Sequence, residues 1–588
     1  MGTFRETLIA KAINEQDDIL TPYLAIVDKY DAAFLTKRLA PFSNKIKSTI
    51  LTDAFNKPNN FERNRHVLDT TNKLYKLLPK KLAHLFFCFD DDINNIAKEC
   101  ANYCRQIAIN PEKVSFLYYQ AKNKQRNDSE LERIVSHEFR IRKTTDSETN
   151  SENSAVFRST NTEINIEFAD AKQKALFDFL SNYAIKFGVS PIEPKNNIKI
   201  SGCIKRYIDN RWWLRKFRKL ITQANEKAAL HLNFVNRKRE IYASNTTTQN
   251  RITQRQRNDE LLSSTYIFNE QGQRYSLKEI SDLNVSNPKI RKDELLCRAR
   301  GFEDLAKELG HEALFITVTC PSKYHRAFSK SGAANPKWEG FMPDEANSYL
   351  NHQWQKARAE FKRQNIAPYG FRVAEPQHDG TPHWHMLFFI ESEKLDALKA
   401  IIRHYALEVD GDEKGAAENR CDFKQIDPNK GSATGYILKY IAKNIDGEGV
   451  GEDRFGNDSL LVAQRIDAWA SCWCIRQFQQ IGGASVSVWR ELRRLRSMFK
   501  DKKDSLLEQA RFAADNSDWK GYILAMGGLH TKLKDRPIKL HYDLNIVEET
   551  GECLQSYYDG ELILKVKGLW FAGKVIITRH YSWRVEKA

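Results

Sequence analysis

The chain has 588 residues, a formal net charge of +16 at pH 7, 41% hydrophobic and 29% charged residues. That length suffices for several domains with cores of their own, and the excess of Lys and Arg suits an anionic partner such as nucleic acid. No run of about 20 apolar residues is present, so no membrane-spanning helix is predicted. Ten scattered cysteines read as reduced intracellular thiols rather than a disulfide framework.

In chain order, residues 1–143 are predicted to form a largely helical N-terminal domain, with helices over Tyr23–Leu39 and Ile93–Ile109. Asp90, Asp91 and Asp92 read as acids at a helix N-terminus. Residues 144–163, rich in Ser, Thr, Asn and charge, read as a linker. Residues 164–286 read as a helical, basic region, with a helix over Ala169–Phe187. Within it, Arg211, Arg215 and Lys216 offer cations to phosphates and Trp212 offers a ring to unpaired bases. The alternative is an amphipathic helix with Trp213, Phe217 and Leu220 in a core and a solvated basic face.

Residues 287–460 carry the chemistry. A helix over Leu295–Leu309 leads into a strand over Ala313–Thr319, ended by Pro321-Ser322, and Lys323 is offered to a DNA backbone. Helices are predicted over Asn347–Gln364 and Ser392–Ala406. Strands are predicted over Phe371–Glu375, His383–Ile390 and Cys421–Ile426, and a final helix over Gly435–Ile445 with Ser432 or Thr434 as N-cap. That order suits an antiparallel, RRM-like sheet with helices on one face. Residues 461–530 read as helical (Leu461–Ile481, Ser487–Phe499, Ser505–Met526), with Arg490 and Arg493 offered to DNA. Residues 531–588 read as a small β-rich module. The fold class is therefore α+β and multidomain.

Two stretches of the central region combine into a site. Side chains alternate along a strand, so His383 and His385 share a face and can bind one cation. Asp379-Gly380 signals a hairpin that sets Glu375 near His383 as third ligand; His378 and Gln377 are the alternatives. On the last helix, Tyr436 and Tyr440 lie about 40° apart, with Lys439 and Lys443 on the same polar arc. A free phenol has a pKa of about 10, and a neighbouring cation favours its ionised form. Lysines beside a phosphodiester offset the charge of the transition state. A cation facing two phenols describes an enzyme that cuts and rejoins a DNA strand and needs no nucleotide cofactor, because the phosphoester is exchanged rather than hydrolysed.

At these residues the chain resembles the phage replication gene A protein family, rolling-circle initiators of the HUH (histidine–hydrophobic–histidine) class. The matching pieces are Arg298-Ala-Arg-Gly-Phe-Glu-Asp-Leu-Ala306, Phe315-Ile-Thr-Val-Thr-Cys-Pro-Ser-Lys-Tyr-His325, Tyr369-Gly-Phe-Arg-Val-Ala-Glu-Pro376, Asp379-Gly-Thr-Pro-His-Trp-His385 and the two-tyrosine helix, all between about Asn287 and Arg496. The resemblance implies a central HUH endonuclease domain, His383 and His385 as metal ligands with Glu375 as the third, and Tyr436 and Tyr440 as paired nucleophiles. The family often has a histidine where this chain has Gln377. The expected activity is site-specific nicking and rejoining of single-stranded origin DNA through a 5′-phosphotyrosine, using Mg or Mn, in the cytoplasm of a bacterial host. A Gly-x-x-x-x-Gly-Lys-Ser/Thr phosphate loop is absent, so strand separation is assigned to a separate host helicase. The competing expectations are a DNA-binding replication regulator and a zinc hydrolase built on His383, His385 and Glu375.

Overall fold

The computed structural model describes residues 19–79, 81–82, 90–124, 154–194, 199–447, 456, 458–495, 505–546 and 551–587. The chain forms two compact units, Met1–Asn225 with Asn545–Ile563, and Glu226–Leu544 with Leu564–Ala588.

The first unit is helical. Apolar residues at three- and four-residue spacing bury one stripe of each helix, as with Ile93, Ala97, Cys100, Ala101 and Cys104 of Asp90–Ala108. Asp90, Asp91 and Asp92 stand in its first turn, as the acid run implies, and Asp90 pairs with Arg218 at 2.5 Å. A helix runs over Ser154–Ile185, so it starts inside the stretch expected as linker; residues 144–153 lie outside the described residues. Tyr183, Phe187, Tyr207, Trp213 and Phe217 form one aromatic cluster, and Trp213 Nε1 donates to Tyr207 O at 2.7 Å.

The second unit opens with α1 (Asn245–Ser264), β1 (Thr265–Asn269), β2 (Arg274–Ser276) and α2 (Leu277–Asp282). α3 (Pro288–Leu309) starts with proline at its first position and stops at Gly310, whose φ of +67° suits the left-handed end of a helix. Then come β3 (Glu312–Val318), α4 (Pro343–Arg363), β4 (Tyr369–Pro376), β5 (Pro382–Ile390), α5 (Leu395–Leu407), β6 (Cys421–Gln425) and α6 (Ala433–Ile445). α7 (Ser459–Trp473), β7 (Phe478–Ile481), α8 (Val486–Leu492), α9 (Leu506–Asp515) and α10 (Trp519–Ala525) follow. β8 (Ile538–Leu544), β9 (Leu564–Phe571), β10 (Lys574–Ile577) and β11 (Trp583–Lys587) supply the β-rich end; β8, β9 and β10 form one antiparallel sheet, while β11 pairs with β1.

The main sheet is antiparallel throughout, in the order β6-β3-β5-β4-β7. The expected helices on one face are instead layers on both. Phe315, Phe371, Val373, Leu387 and Phe389 face α3, α6, α8, α9 and α10 in the main core. Trp384 and Phe388 point the other way, to α4, where Trp354 stacks on Phe388 at 5.7 Å. The physical reason is that β4 and β5 are buried on both faces, so one layer cannot cover them. The predicted helix Leu461–Ile481 also needs correction: it ends at Cys474, with φ +55°, and residues 478–481 add to the edge of β4. Ser505–Met526 likewise splits into α9 and α10 near Ser517, at φ +58°. Among the described residues no helix is long and apolar enough to cross a membrane.

Candidate active site

The candidate metal-binding geometry begins with the β4–β5 hairpin. In its register Glu375 stands opposite His383 and Val373 opposite His385. The connecting turn is fixed by its own hydrogen bonds: Gln377 N–H donates to Thr381 O at 2.7 Å and Gly380 N–H to Gln377 O at 2.9 Å, with Gly380 at φ +81°. Asp379 accepts from Thr381 N–H at 3.1 Å and lies 3.3 Å from His325 Nδ1. Burial alone would raise the Asp379 carboxyl, but His325, His378 and the Thr381 N–H outweigh it and hold it well below the usual carboxylate range. Trp469 Nε1 on α7 donates to Gly380 O at 2.8 Å and ties down the tip.

Glu375, His383 and His385 place one ligand atom each within 4.8 Å of one another. The two imidazole Nε2 atoms are 2.8 Å apart, and His385 Nε2 is 3.9 Å from Glu375 Oε2. Thr317 Oγ1 lies 3.1 Å from His385 Nδ1, which leaves Nε2 on the side of His383 and Glu375. Two imidazoles and a carboxylate converging on one point, with an outer hydroxyl orienting one ring, fit a divalent cation. His378 is 1% exposed and is not part of this convergent group.

α6 is capped by Ser432, whose hydroxyl accepts from Gly435 N–H at 2.9 Å. Ser432, not Thr434, is thus the cap. Thr434 N–H instead donates at 2.9 Å to Glu303 on α3. Ile437, Ile441 and Ala442 enter the core. The two phenols sit half-buried at its rim, each packed on Phe315 of β3, at 5.3 Å for Tyr436 and 5.1 Å for Tyr440. The Tyr440 ring lies against the His385 imidazole, centroids 4.1 Å apart. Tyr436 is one turn away, and Lys424 on β6 donates to its hydroxyl.

The expected lysines part company. Lys439 is exposed. Lys443 turns to the hairpin, its Nζ 3.0 Å from Glu375 Oε2 and 5.1 Å from the Tyr242 ring centroid. Three residues at the site were not foreseen. Asn444, 2% exposed, donates from Nδ2 to Glu375 Oε1 and to Tyr440 O, and its Oδ1 accepts from Gln477 Nε2 at 3.1 Å. Its signal was its place four residues after Tyr440. Lys424 and Gln477 have no such signal, because each arrives through sheet pairing from a distant stretch.

The expected DNA contacts divide similarly. Trp212 is corrected: it is 6% exposed, packed edge-on against Tyr207 and Trp213, so its ring is closed to bases. Burying that large ring beside Trp213 outweighs leaving it in water. Lys323 is paired with Asp410 at 3.0 Å and Arg490 is bidentate to Glu294 at 2.7 and 2.9 Å, so both charges are already matched. Arg211, Arg215, Lys216 and Arg493 are exposed. The Lys216 ammonium, exposed at one side, lies 5.4 Å from the Trp212 ring centroid on the other; the partial desolvation there, and then the charges of Lys219 and Arg215, lower its pKa.

Residues 139–448 match the family model described as bacteriophage replication gene A protein (GPA). The chain is similar to the probable replication protein P12 of Pseudoalteromonas phage PM2, at 39% identity over 66% of this chain and 60% of that protein. It is similar to the replication gene A protein of Escherichia phage 186, at 38% identity over 66% of this chain and 56% of that protein. It is also 31% identical, over 64% of its length and 48% of the relative, to a probable replication endonuclease from a prophage-like region of Salmonella paratyphi A. The chain thus spans between 48% and 60% of the length of these relatives. No solved structure matches.

Proposed function

Because the chain belongs to the bacteriophage replication gene A protein family, we propose that it is an HUH-type endonuclease and strand transferase that nicks and rejoins single-stranded DNA at a replication origin. One observation carries the reading: the Tyr440 ring rests on His385, itself one of three converging cation ligands, with a second phenol one helical turn away.

In the chemistry proposed, a tyrosine oxygen attacks the scissile phosphorus, its proton leaves to solvent or a base, and the P–O3′ bond breaks. The leaving oxygen takes up a proton as a free 3′ hydroxyl, and the 5′ phosphate stays on the tyrosine. The reverse attack by a 3′ hydroxyl restores the strand, so no nucleotide is consumed. Glu375, His383 and His385 would hold Mg or Mn, which when bound polarises the phosphate oxygens. Phe315 fixes both phenol rings against the sheet, and Lys424 orients the Tyr436 oxygen. Two nucleophiles allow a second cut at the regenerated origin after one round, which initiates and then terminates rolling-circle synthesis of phage or related mobile-element DNA. A separate helicase of the host separates the strands, and the basic face at Arg211, Arg215 and Lys216 holds backbone phosphates.

The test is incubation with origin-bearing single strands and Mg or Mn, followed by denaturing electrophoresis. A covalent adduct is expected, and it is lost in the double variant Tyr436→Phe, Tyr440→Phe. Adduct surviving in that variant overturns the nucleophile assignment. Binding without cleavage in any metal points to a regulator, and cleavage to free 5′ ends by the double variant points to a hydrolase.

A further inference from the structure

Both oxygens of the Glu375 carboxylate are taken by consecutive residues of α6. Oε2, the oxygen nearest His385, accepts from Lys443 Nζ at 3.0 Å, and Oε1 accepts from the Asn444 amide. The two contacts differ in kind. Asn444 is buried, and its amide is fully engaged, with Nδ2 on Glu375 and Tyr440 O and Oδ1 on Gln477. Lys443 is half-buried at the end of a long, rotatable side chain. A divalent cation drawn to His383, His385 and Glu375 meets an ammonium already on the oxygen it needs. Two cations on one carboxylate oxygen repel, and the one on the flexible stem gives way.

We propose that Asn444 is a fixed tether that aims Glu375 at the cation site, while Lys443 is a displaceable counter-ion that leaves Glu375 when a divalent cation binds and becomes available to the DNA phosphate. Cation binding and the placement of the tyrosine helix are thereby linked through one carboxylate. This rests on the reading that Glu375, His383 and His385 bind a divalent cation. Asn444 acts through Glu375 and Tyr440 O and is a positioning residue. Gln477, arriving on the approach to β7, holds the Asn444 amide in the required sense, carbonyl towards Gln477 and NH2 towards Glu375.

The experiment is calorimetric titration of Mn alone, without DNA, into the full chain and its variants. Lys443→Met removes the competitor, so Mn affinity is expected to rise about tenfold, the equivalent of one charge-assisted hydrogen bond, while adduct formation falls. Asn444→Ala is expected to weaken Mn affinity about tenfold by the same measure. Gln477→Ala, at a less buried position, should weaken it by a smaller factor, and it serves if Asn444→Ala fails to fold. Unchanged or weaker Mn binding in Lys443→Met overturns the displacement, and wild-type affinity in a folded Asn444→Ala or in Gln477→Ala overturns the tether. Absence of Mn binding to the wild-type chain overturns the cation site itself, a result distinct from either.

Discussion

The Glu303 carboxylate accepts a hydrogen bond from Thr434 N–H at 2.9 Å and so pins α3 to the first turn of the helix that carries both phenols. Lys307 pairs with the other oxygen at 3.1 Å. An anion at a helix N-terminus matches the partial positive charge there. Burial pushes the Glu303 carboxyl up, but the bonds from Thr434 and the Lys307 charge outweigh it and hold it below its ordinary value. A carboxyl lowered on folding stabilises above its unfolded value of about 4.3 and loses that contribution as pH falls through the folded value. Glu303→Gln should therefore cost about 1–2 kcal/mol near neutral pH. Thermal melts of the two proteins should converge as pH drops from about 5 towards 3. A gap that stays constant over that range would rule out the charge as its source.

The two phenols have different neighbours, and this predicts separable defects. Lys424 touches Tyr436, whereas Tyr440 lies on His385. In a Tyr440→Phe background, where Tyr436 is the one proposed nucleophile left, Lys424→Met should lower adduct yield about tenfold or more. In a Tyr436→Phe background the same change should have little effect. Equal losses in both backgrounds would mean that Lys424 acts on the DNA rather than on Tyr436.

Gly370 occupies a position that only glycine fits. Its φ is +145°, and a Cβ there would stand 2.0 Å from Leu387 O in the facing strand. Gly370→Ala must therefore open the β4–β5 pair at the centre of the sheet. A loss of more than about 3 kcal/mol is expected from urea unfolding, along with weaker Mn binding, because the same pair sets Glu375 opposite His383.

On the helix Asn210–His231, neighbouring residues should give opposite phenotypes. Arg215→Glu or Lys216→Glu, on the exposed face, should leave stability nearly unchanged. Each should lower the salt dependence of single-strand binding by roughly one counter-ion. Trp212→Ala, inside the aromatic cluster, should cost about 3–5 kcal/mol and alter DNA binding only through unfolding. Filter binding across a salt series, alongside thermal melts, separates the two.

The convergence of Glu375, His383 and His385 was readable because it is local. Alternation put His383 and His385 on one face, and the Asp379-Gly380 turn fixed the register that brings Glu375 across. The tyrosine face of α6 was readable from its period in the same way. Lys424 and Gln477 were not, since they reach the site through β6 and β7, whose partners lie far away in sequence. The helix expected to reach Ile481 failed for a related reason: the open edge of β4 offers backbone partners to Phe478–Ile481, a choice that local propensity does not contain. The second helical layer was legible in principle, because Trp384, Met386 and Phe388 already made the other face of β5 apolar.

The similarity to the family model ends at residue 448, but the folded sheet does not. β7 covers the outer edge of β4 from Gly370 to Val373, and Gln477 beside it supplies the donor to Asn444. A truncation product stopping at 448 or 460 would bare that row of backbone groups, an invitation to aggregate, and would deprive a buried amide of its partner. Recombinant fragments meant to retain this sheet should extend beyond Ile481, through α8.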